Sequence, residues 1–227
     1  MAPRVLHSSD VKTPRQAWGI FSRKRAPRMI GAAIALALAA RIAIGDFSWR
    51  DAAAVAFIAL VYPFGEWAIH VYLLHMRPFT VRGRRIDLAS ARSHREHHEQ
   101  PQRMDLINFG PVEALAILLV AAPLAVGVGA ALAALLPGPL PLGPLVTMLL
   151  TAYVLIGVYE WIHFLIHTAH RPRSRYYRSI WRNHRLHHFK NEHYWHGITN
   201  TVSDRVLGTN PDQREVERSR TARALHT

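Results

Sequence analysis

Four long apolar runs, separated by basic segments, restrict this chain to few folds. The runs cover residues 29–45, 52–75, 112–136 and 144–167. At about 1.5 Å per residue, helices of these lengths cover most or all of a bilayer core that is about 30 Å thick. Because backbone polar groups find no partner in lipid, such spans have to be helical. The sequence therefore predicts an all-α integral membrane protein with four transmembrane helices.

The segments between the runs predict two hairpins and an orientation. A short turn at 46–50 joins the first two runs, and the loop Pro137–Gly143 joins the last two. Nearly all of the 28 Lys and Arg residues lie in the N-terminal segment, in residues 76–111 and in the C-terminal segment. By the positive-inside rule, we expect both termini to be cytoplasmic. The Ala- and Arg-rich composition suggests a bacterial source, and therefore the bacterial inner membrane.

Three parts are expected along the chain. Residues 1–28 form a basic, mobile cytoplasmic tail, residues 29–211 form the four-helix domain with a cytoplasmic histidine-rich helical cap, and residues 212–227 form a charged C-terminal tail. The Lys and Arg of the N-terminal tail are explained by membrane topology. We therefore expect no nucleic-acid partner.

Histidine is the residue type that indicates what chemistry this chain can support. The chain has 15 histidines and no cysteine, so imidazole is its only abundant ligand for transition metals. Ten histidines form four boxes, which are His70 with His75, His94 with His97 and His98, His163 with His167, and His184 with His187 and His188. On a helix, positions i, i+3 and i+4 share one face, while two adjacent side chains diverge. Each triplet is therefore predicted to serve two metals.

The two halves of the chain repeat this arrangement. Glu66-Trp-Ala-Ile-His70 resembles Glu160-Trp-Ile-His163, and a triplet follows each of them about twenty residues later. The pair His163 and His167 has the i, i+4 spacing of one helix face, but His70 and His75 are five residues apart. Such a pair does not share a face of a regular helix, so we predict a helix end or a π-bulge near His75.

The number of histidines predicts the number of metals. Ten ligands exceed what one ion can hold, and two ions with five or six ligands each, one position being left for oxygen or water, fit best. An all-nitrogen site of this kind favours redox iron over structural zinc, which usually takes four ligands.

Residues near the boxes have supporting roles in this interpretation. Glu66 and Glu160 either orient an imidazole or pair with an arginine. Three further histidines, His170, His193 and His196, are expected to be structural or to support the ligands. Asn191 is a candidate outer hydrogen-bond donor, whereas Gly197, Asp204 and Gly208 are expected to shape turns.

The order and spacing of the boxes resemble the fatty acid hydroxylase and sterol desaturase superfamily of membrane di-iron oxygenases. The stretches 187–191, 197–199 and 204–209 also resemble the segment that follows the last box in its fatty acid hydroxylase branch. The resemblance covers about residues 60–211. It implies that the ten histidines bind two irons, with zinc able to replace them in purified protein. It also implies that O2 is activated between the metals and that a lipid C–H bond is hydroxylated.

The resemblance implies three partners: a membrane lipid substrate, O2 and a separate electron donor of ferredoxin or cytochrome type that docks near the basic cytoplasmic face. A fatty acyl chain is the expected substrate, while a sterol or carotenoid substrate and a desaturation reaction stay open. Outside the enzymes, a non-catalytic membrane metal-binding protein and a metal transporter stay open. A transporter would need ligands along a path through the bilayer, whereas these boxes collect at one face.

Overall fold

The structure is a computed structural model that describes residues 6–134 and 142–225. Its helices are α1 (Pro14–Phe21), α2 (Arg25–Ile44), α3 (Trp49–Ala68), α4 (Ala89–Glu99), α5 (Pro111–Ala134), α6 (Leu142–Ile166), α7 (Arg175–Phe189) and α8 (Val202–Val206). A 3-10 turn at Ser8–Asp10 precedes α1, and a π-helix at Ile69–Leu74 continues α3. The strands β1 (Phe79–Val81) and β2 (Arg84–Ile86) form a small antiparallel hairpin. The all-α class predicted from the sequence is confirmed.

Four of the helices are long and apolar enough to cross a membrane. They are Arg25–Ile44, Trp49–Leu74, Pro111–Gly129 and Leu142–Ile166, which have 20, 26, 19 and 25 residues. These helices confirm the four predicted spans, and the protein is a membrane protein. The predicted loop at 137–143 lies outside the described residues except at its last two positions.

The chain forms two compact units, and α3 and α6 contribute residues to both. The first, here called the apolar unit, comprises residues 22–62 and 110–160. In its core, Ile30 of α2 packs with Leu118 of α5 and Tyr153 of α6. The apolar unit also buries Arg41. Its Nε donates to Asp51 Oδ1 at 2.8 Å. This pairing offsets the cost of a charged side chain within an apolar run.

The second unit, here called the histidine unit, comprises residues 1–21, 63–109 and 161–227. Its N-terminal segment is folded, because Val11, Ala17 and Phe21 are buried in a core that also contains Met104 and Phe164. The expectation of a mobile tail was therefore wrong for the described residues from 6 onward. The many basic residues of this segment concealed the few apolar ones that pack inward.

The helices α4 and α7 each present one buried face within the histidine unit. On α7 the buried residues are Ile180, Asn183, His184, His187 and His188, which follow helical spacing. On α4 they are Ala91, His94, His97 and His98. Ser174 caps α7, its Oγ accepting from the backbone N–H of Tyr177 at 3.1 Å. Both triplets therefore lie on the buried sides of their helices.

Candidate metal centre

All ten predicted ligands come together in the histidine unit, in two groups of five. The first histidine group contains His70, His75, His94, His98 and His187. The second histidine group contains His97, His163, His167, His184 and His188. Within each group, one nitrogen from every ring lies within 4.8 Å of all the others. Each group could hold one metal ion.

Each triplet divides between the two groups, as its spacing predicts. On α4, His94 and His98 enter the first group while His97 enters the second. The division on α7 is the reverse, with only His187 in the first group. Adjacent residues point about 100° apart around a helix, so one helix can supply ligands on two sides of its buried face. The two groups are consequently built on the same two helices.

Each of the two-histidine boxes contributes both of its residues to a single group. His70 and His75 both enter the first group, and the backbone between them is the π-helix Ile69–Leu74. The N–H of His75 donates to the carbonyl of His70 at 3.1 Å, which is the i to i+5 bond of a π-turn. The predicted bulge near His75 is thus confirmed. In the second group, His163 lies in α6 and His167 one residue beyond its end.

The distances between ring nitrogens fit a metal. In the first group the Nε2 to Nε2 distances are 3.2 Å for His70 and His94, for His94 and His98, and for His75 and His187. In the second group they are 3.1 Å for His97 and His167, 2.8 Å for His167 and His184, and 3.0 Å for His184 and His188. Nitrogens at about 2.1 Å from an octahedral ion would be about 3.0 Å from their neighbours. The residues present therefore fit one ion per group.

Backbone carbonyls fix the orientation of four rings. The Nδ1 atoms of His70, His98, His167 and His187 lie 2.6 to 3.0 Å from the carbonyl oxygens of His196, Ala222, Pro101 and Tyr194, respectively. Because a carbonyl only accepts, the proton of each ring is on Nδ1, and Nε2 keeps its lone pair for a metal. None of these acceptors depends on the identity of a side chain.

Burial keeps the ligands outside the spans neutral. It lowers the pKa of His94, His97, His184, His187 and His188 well below the ordinary value, and the neighbouring imidazoles lower it further. Burial likewise lowers the pKa of His167, to about 3. A metal binds the neutral form of imidazole, so at neutral pH these rings are ready for a metal without losing a proton.

Two carboxylates hold the loop after α7, which comprises residues 190–201. Glu66 Oε1 accepts from the N–H groups of Ile198 at 2.5 Å and Thr199 at 2.9 Å, and its Oε2 accepts from the Thr199 hydroxyl. Asp204 accepts from the N–H groups of His196 at 2.9 Å and Gly197 at 2.7 Å. Since the His196 carbonyl orients His70, these carboxylates position that ligand through the backbone. Glu66 therefore acts on this loop, and its expected bond to an imidazole or an arginine stays a prediction.

Turn glycines in this loop and after α8 behave as the sequence predicts. A side chain at Gly197 would collide with the backbone carbonyl of Asn200, so glycine is required there. Gly208 has φ of +75°, a conformation that glycine adopts without strain. The side chain of Asn191 donates to the Glu217 carbonyl at 3.2 Å. Glu160 is buried, and its predicted role stays a prediction.

The three remaining histidines near the boxes belong to neither group. The side chain of His193 is 62% exposed. The ring of His170 stacks on Tyr177 with the ring centroids 6.1 Å apart. His196 is buried beside the first group, and its backbone carbonyl accepts the hydrogen bond from His70 Nδ1. These positions agree with supporting rather than ligating roles.

Fold and site together define the class of this chain: a helical membrane protein with two five-histidine groups suited to metal ions. Residues 55–209 match the family described as fatty acid hydroxylase, and the chain belongs to that family. It is 30% identical over 157 residues to dihydroceramide fatty acyl 2-hydroxylase FAH2 of Arabidopsis thaliana. That match covers 69% of this chain and 60% of the relative.

A solved structure has the same fold. It is described as full-length scs7p with only the hydroxylase domain visible, and it is similar to this chain with a TM-score of 0.61 at 17% identity. The similarity covers 92% of this chain and 70% of that one. The similarity shows that the two chains share a fold.

Proposed function

We propose that this protein is a membrane-bound oxygenase that hydroxylates a C–H bond of a fatty acyl chain, using two irons, O2 and electrons from a separate donor. The observation that carries the proposal is the pair of five-histidine groups in a member of the fatty acid hydroxylase family. The relative named as a fatty acyl 2-hydroxylase supports the acyl substrate.

Two irons fit the donors better than zinc does. Five imidazole nitrogens exceed the four ligands that a structural zinc takes, and they leave one position at a six-coordinate ion. Bound iron would supply the activation of O2 and the oxidation of an unactivated C–H bond. In the overall reaction one oxygen atom enters the hydroxyl group, and the other leaves as water with two electrons and two protons.

The residues of the chain hold and shield the site. The carbonyls of His196, Ala222, Pro101 and Tyr194 keep four Nε2 atoms aimed inward, so little reorganisation is needed when metal binds. Eight of the ten ligands are buried, which keeps bulk water from the centre. This environment suits chemistry in which an oxidising species has to be protected from side reactions.

An exposed arginine face on α7 is proposed as the docking site of the electron donor. Arg175, Arg178, Arg182 and Arg185 are exposed and spaced along one side of the helix, while the triplet occupies the buried side. A helix is about 10 Å across, so a donor on this face would be close to both groups. An acidic ferredoxin or cytochrome domain would be attracted by these charges.

Charge reversal on α7 tests the donor site. Replacing Arg178 and Arg182 by Glu should raise the KM for the donor about tenfold or more at low salt while leaving the metal content unchanged, because the change is electrostatic. Arg205→Glu, on the exposed surface of α8, is the control. An unchanged KM in the α7 variant would contradict docking there.

Metal and lipid analysis test the reaction. Protein purified from iron-supplied cells should contain about two irons per chain, and the cells should gain a hydroxylated fatty acid that mass spectrometry detects. The variant with both His187 and His188 changed to Ala, which removes one ligand from each group, should lose both signals. His193→Ala, an exposed histidine outside the groups, should keep them.

The outcome also separates the alternatives. Zinc at about one per chain, or metal that survives the double substitution, would contradict the di-iron proposal. A new double bond would indicate a desaturase, and a hydroxylated sterol or carotenoid would contradict the acyl substrate. Two irons without any lipid product would favour a non-catalytic metal-binding protein.

A further inference from the structure

The C-terminal segment, residues 212–225, belongs to the histidine unit and is here called the C-terminal strap. Val216, Ala222 and Leu225 are buried, although the composition of this segment predicts a charged tail. The strap also lies beyond the family match, which ends at residue 209. Its contacts are therefore features of this chain that the family assignment does not cover.

One part of the strap is attached just after α7. The N–H of Ser219 donates to the carbonyl of Lys190 at 2.8 Å. Glu192 is only 1% exposed, and its Oε1 accepts from the hydroxyl groups of Ser219, at 3.0 Å, and Thr221. A buried carboxylate with two hydroxyl donors is a strong local attachment. Glu192 is thus the anchor of the strap.

The following residues of the strap reach the end of α4. Arg223 donates from Nη2 to the carbonyl of Glu99 at 3.0 Å. The adjacent contact involves a candidate ligand, since Nδ1 of His98 donates to the carbonyl of Ala222 at 2.9 Å. The strap therefore links the two helices that carry the triplets, and it supplies the acceptor that sets the tautomer of His98.

We propose that the C-terminal strap is a positioning element for the metal of the first histidine group. The inference rests on the proposed function, because it requires that the groups bind metal. By holding Nδ1–H of His98, the Ala222 carbonyl directs Nε2 of that ring toward the other ligands of the first group. Loss of such a hydrogen-bond partner typically weakens metal binding about 10- to 100-fold.

The effect should be selective for one metal. Of the four ring orientations described above, that of His98 depends on the strap, whereas His167 of the second group uses Pro101. His70 and His187 use the loop after α7. Releasing the strap should therefore weaken the first site and leave the second site as it was.

Two variants release the strap in different ways. Glu192→Ala removes the anchor, and a chain that ends at Gln213 lacks most of the strap. The matched control is Glu217→Ala, which changes an exposed carboxylate within the strap itself. Because the natural chain has no cysteine, Leu225→Cys can be added to the full-length proteins as a single reporter of the buried end of the strap.

The experiment compares strap release with metal retention. The full-length proteins are loaded with iron, and a thiol reagent measures how accessible position 225 is. A chelator titration followed by elemental analysis then measures retained metal for all variants. We expect Glu192→Ala to react faster at position 225. Both releasing variants should hold one of the two irons about 10- to 100-fold more weakly, with the other unchanged. The Glu217→Ala control should match the parent.

Each contrary result has a distinct meaning. If the truncated chain and Glu192→Ala retain both irons as well as the parent does, the inference is overturned while the proposed function stands. If both irons are lost equally, the strap acts on overall stability and not on the first site. A parent that holds no metal would overturn the proposed function, and this inference with it.

Discussion

Two adjacent residues, His97 and His98, belong to different histidine groups. His98 shares the first group with His94, which is four residues earlier on the same face of α4, while His97 points to the second group. Substitutions on this one helix can therefore affect one site or both, depending on which residues are paired. This separation allows the assignment of ligands to sites to be tested without changing any other helix.

The prediction concerns two double variants of α4. Changing His94 and His98 to Ala removes two ligands from the first group only, so the metal content should fall from about two to about one per chain. Changing His97 and His98 removes one ligand from each group, so both metals should be lost, as in the variant of His187 and His188. Elemental analysis after a chelator titration measures the difference. Identical titration curves for the two variants would contradict the assignment.

Glu192 gives a prediction about pH. Burial alone would raise the pKa of Glu192, but hydrogen bonds from Thr221 and Ser219 outweigh burial, and the pKa lies below its ordinary value of 4.5. A carboxyl whose pKa is lowered by folding stabilises the folded state fully above that ordinary value. The stabilisation is lost as the pH falls through the lower pKa of the folded state.

Metal-free protein shows this effect without interference from bound ions. Glu192→Gln should melt at a lower temperature than the parent at pH 7, and the difference should shrink as the pH falls below about 4.5, because the parent then becomes protonated too. Both proteins carry His193→Ala, because Nε2 of His193 lies 3.6 Å from Glu192 Oε1 and its charge would add to the difference. Protonation of the ten grouped histidines is common to both proteins and cancels. Glu217→Gln, on the exposed surface, should show no such trend. A difference that does not change with pH would argue against an ionised anchor.

At the scale of residues, the sequence predicts the kind of ligand better than its orientation. The spacing of the boxes is enough to choose the ten histidines, because i, i+3 and i+4 define a helix face. The acceptors that set the tautomers are backbone carbonyls, such as those of Pro101 and Ala222, and a carbonyl is present at every position. Only folding shows which of them come within hydrogen-bond distance of an imidazole.

At the scale of elements, the loop after α7 is the part of the metal site's surroundings that a mutation would affect most. It carries the carbonyls that orient His70 and His187, and it is itself held by Glu66. Glu66 comes from α3, so hydrogen bonds through the loop connect that helix to His70 of the π-helix and to His187 of α7. A change at this one carboxylate should therefore be felt at the first group.

Glu66→Ala leaves the N–H groups of Ile198 and Thr199 without their acceptor. An unsatisfied buried donor costs about 1 to 3 kcal/mol, so we expect a loss of about 2 to 3 kcal/mol in the free energy of unfolding, measured by denaturant titration of the metal-free protein. The first-group metal should also be held more weakly. Glu215→Ala, an exposed carboxylate, should change neither. A stability like that of the parent would show that the loop does not depend on Glu66.

Elements were predictable where the length of an apolar run or the spacing of histidines defines them. The four spans follow from apolar length, and the π-helix at Ile69–Leu74 follows from the five-residue separation of His70 and His75. The folded N-terminal segment and the strap were missed because each contains few apolar residues, such as Val11, Phe21 and Leu225, among many charged ones. These two segments are folded because they contact distant parts of the chain, and such contacts leave no pattern in the local sequence.

At the scale of the whole molecule, the four spans and the distribution of charge together predict an orientation. The turn between α2 and α3, residues 45–48, carries one acidic residue and no Lys or Arg, while the hairpin of β1 and β2 carries Arg82, Arg84 and Arg85. Since α3 with its π-helix crosses once, these two segments have to lie on opposite sides of the membrane. The positive-inside rule predicts that the hairpin lies in the cytoplasm.

Single cysteines introduced into this cysteine-free chain report the two sides. Phe47→Cys replaces a residue that is 67% exposed, and Thr80→Cys lies on the exposed surface of β1. With a membrane-impermeant maleimide, Phe47→Cys should react in right-side-out vesicles of the inner membrane, and Thr80→Cys only in inverted vesicles. The natural chain should not react in either. Reaction of both positions from the same side would contradict the α3 span. The opposite pattern would keep the four spans and place the basic segments, with the histidine boxes that they carry, outside the cytoplasm.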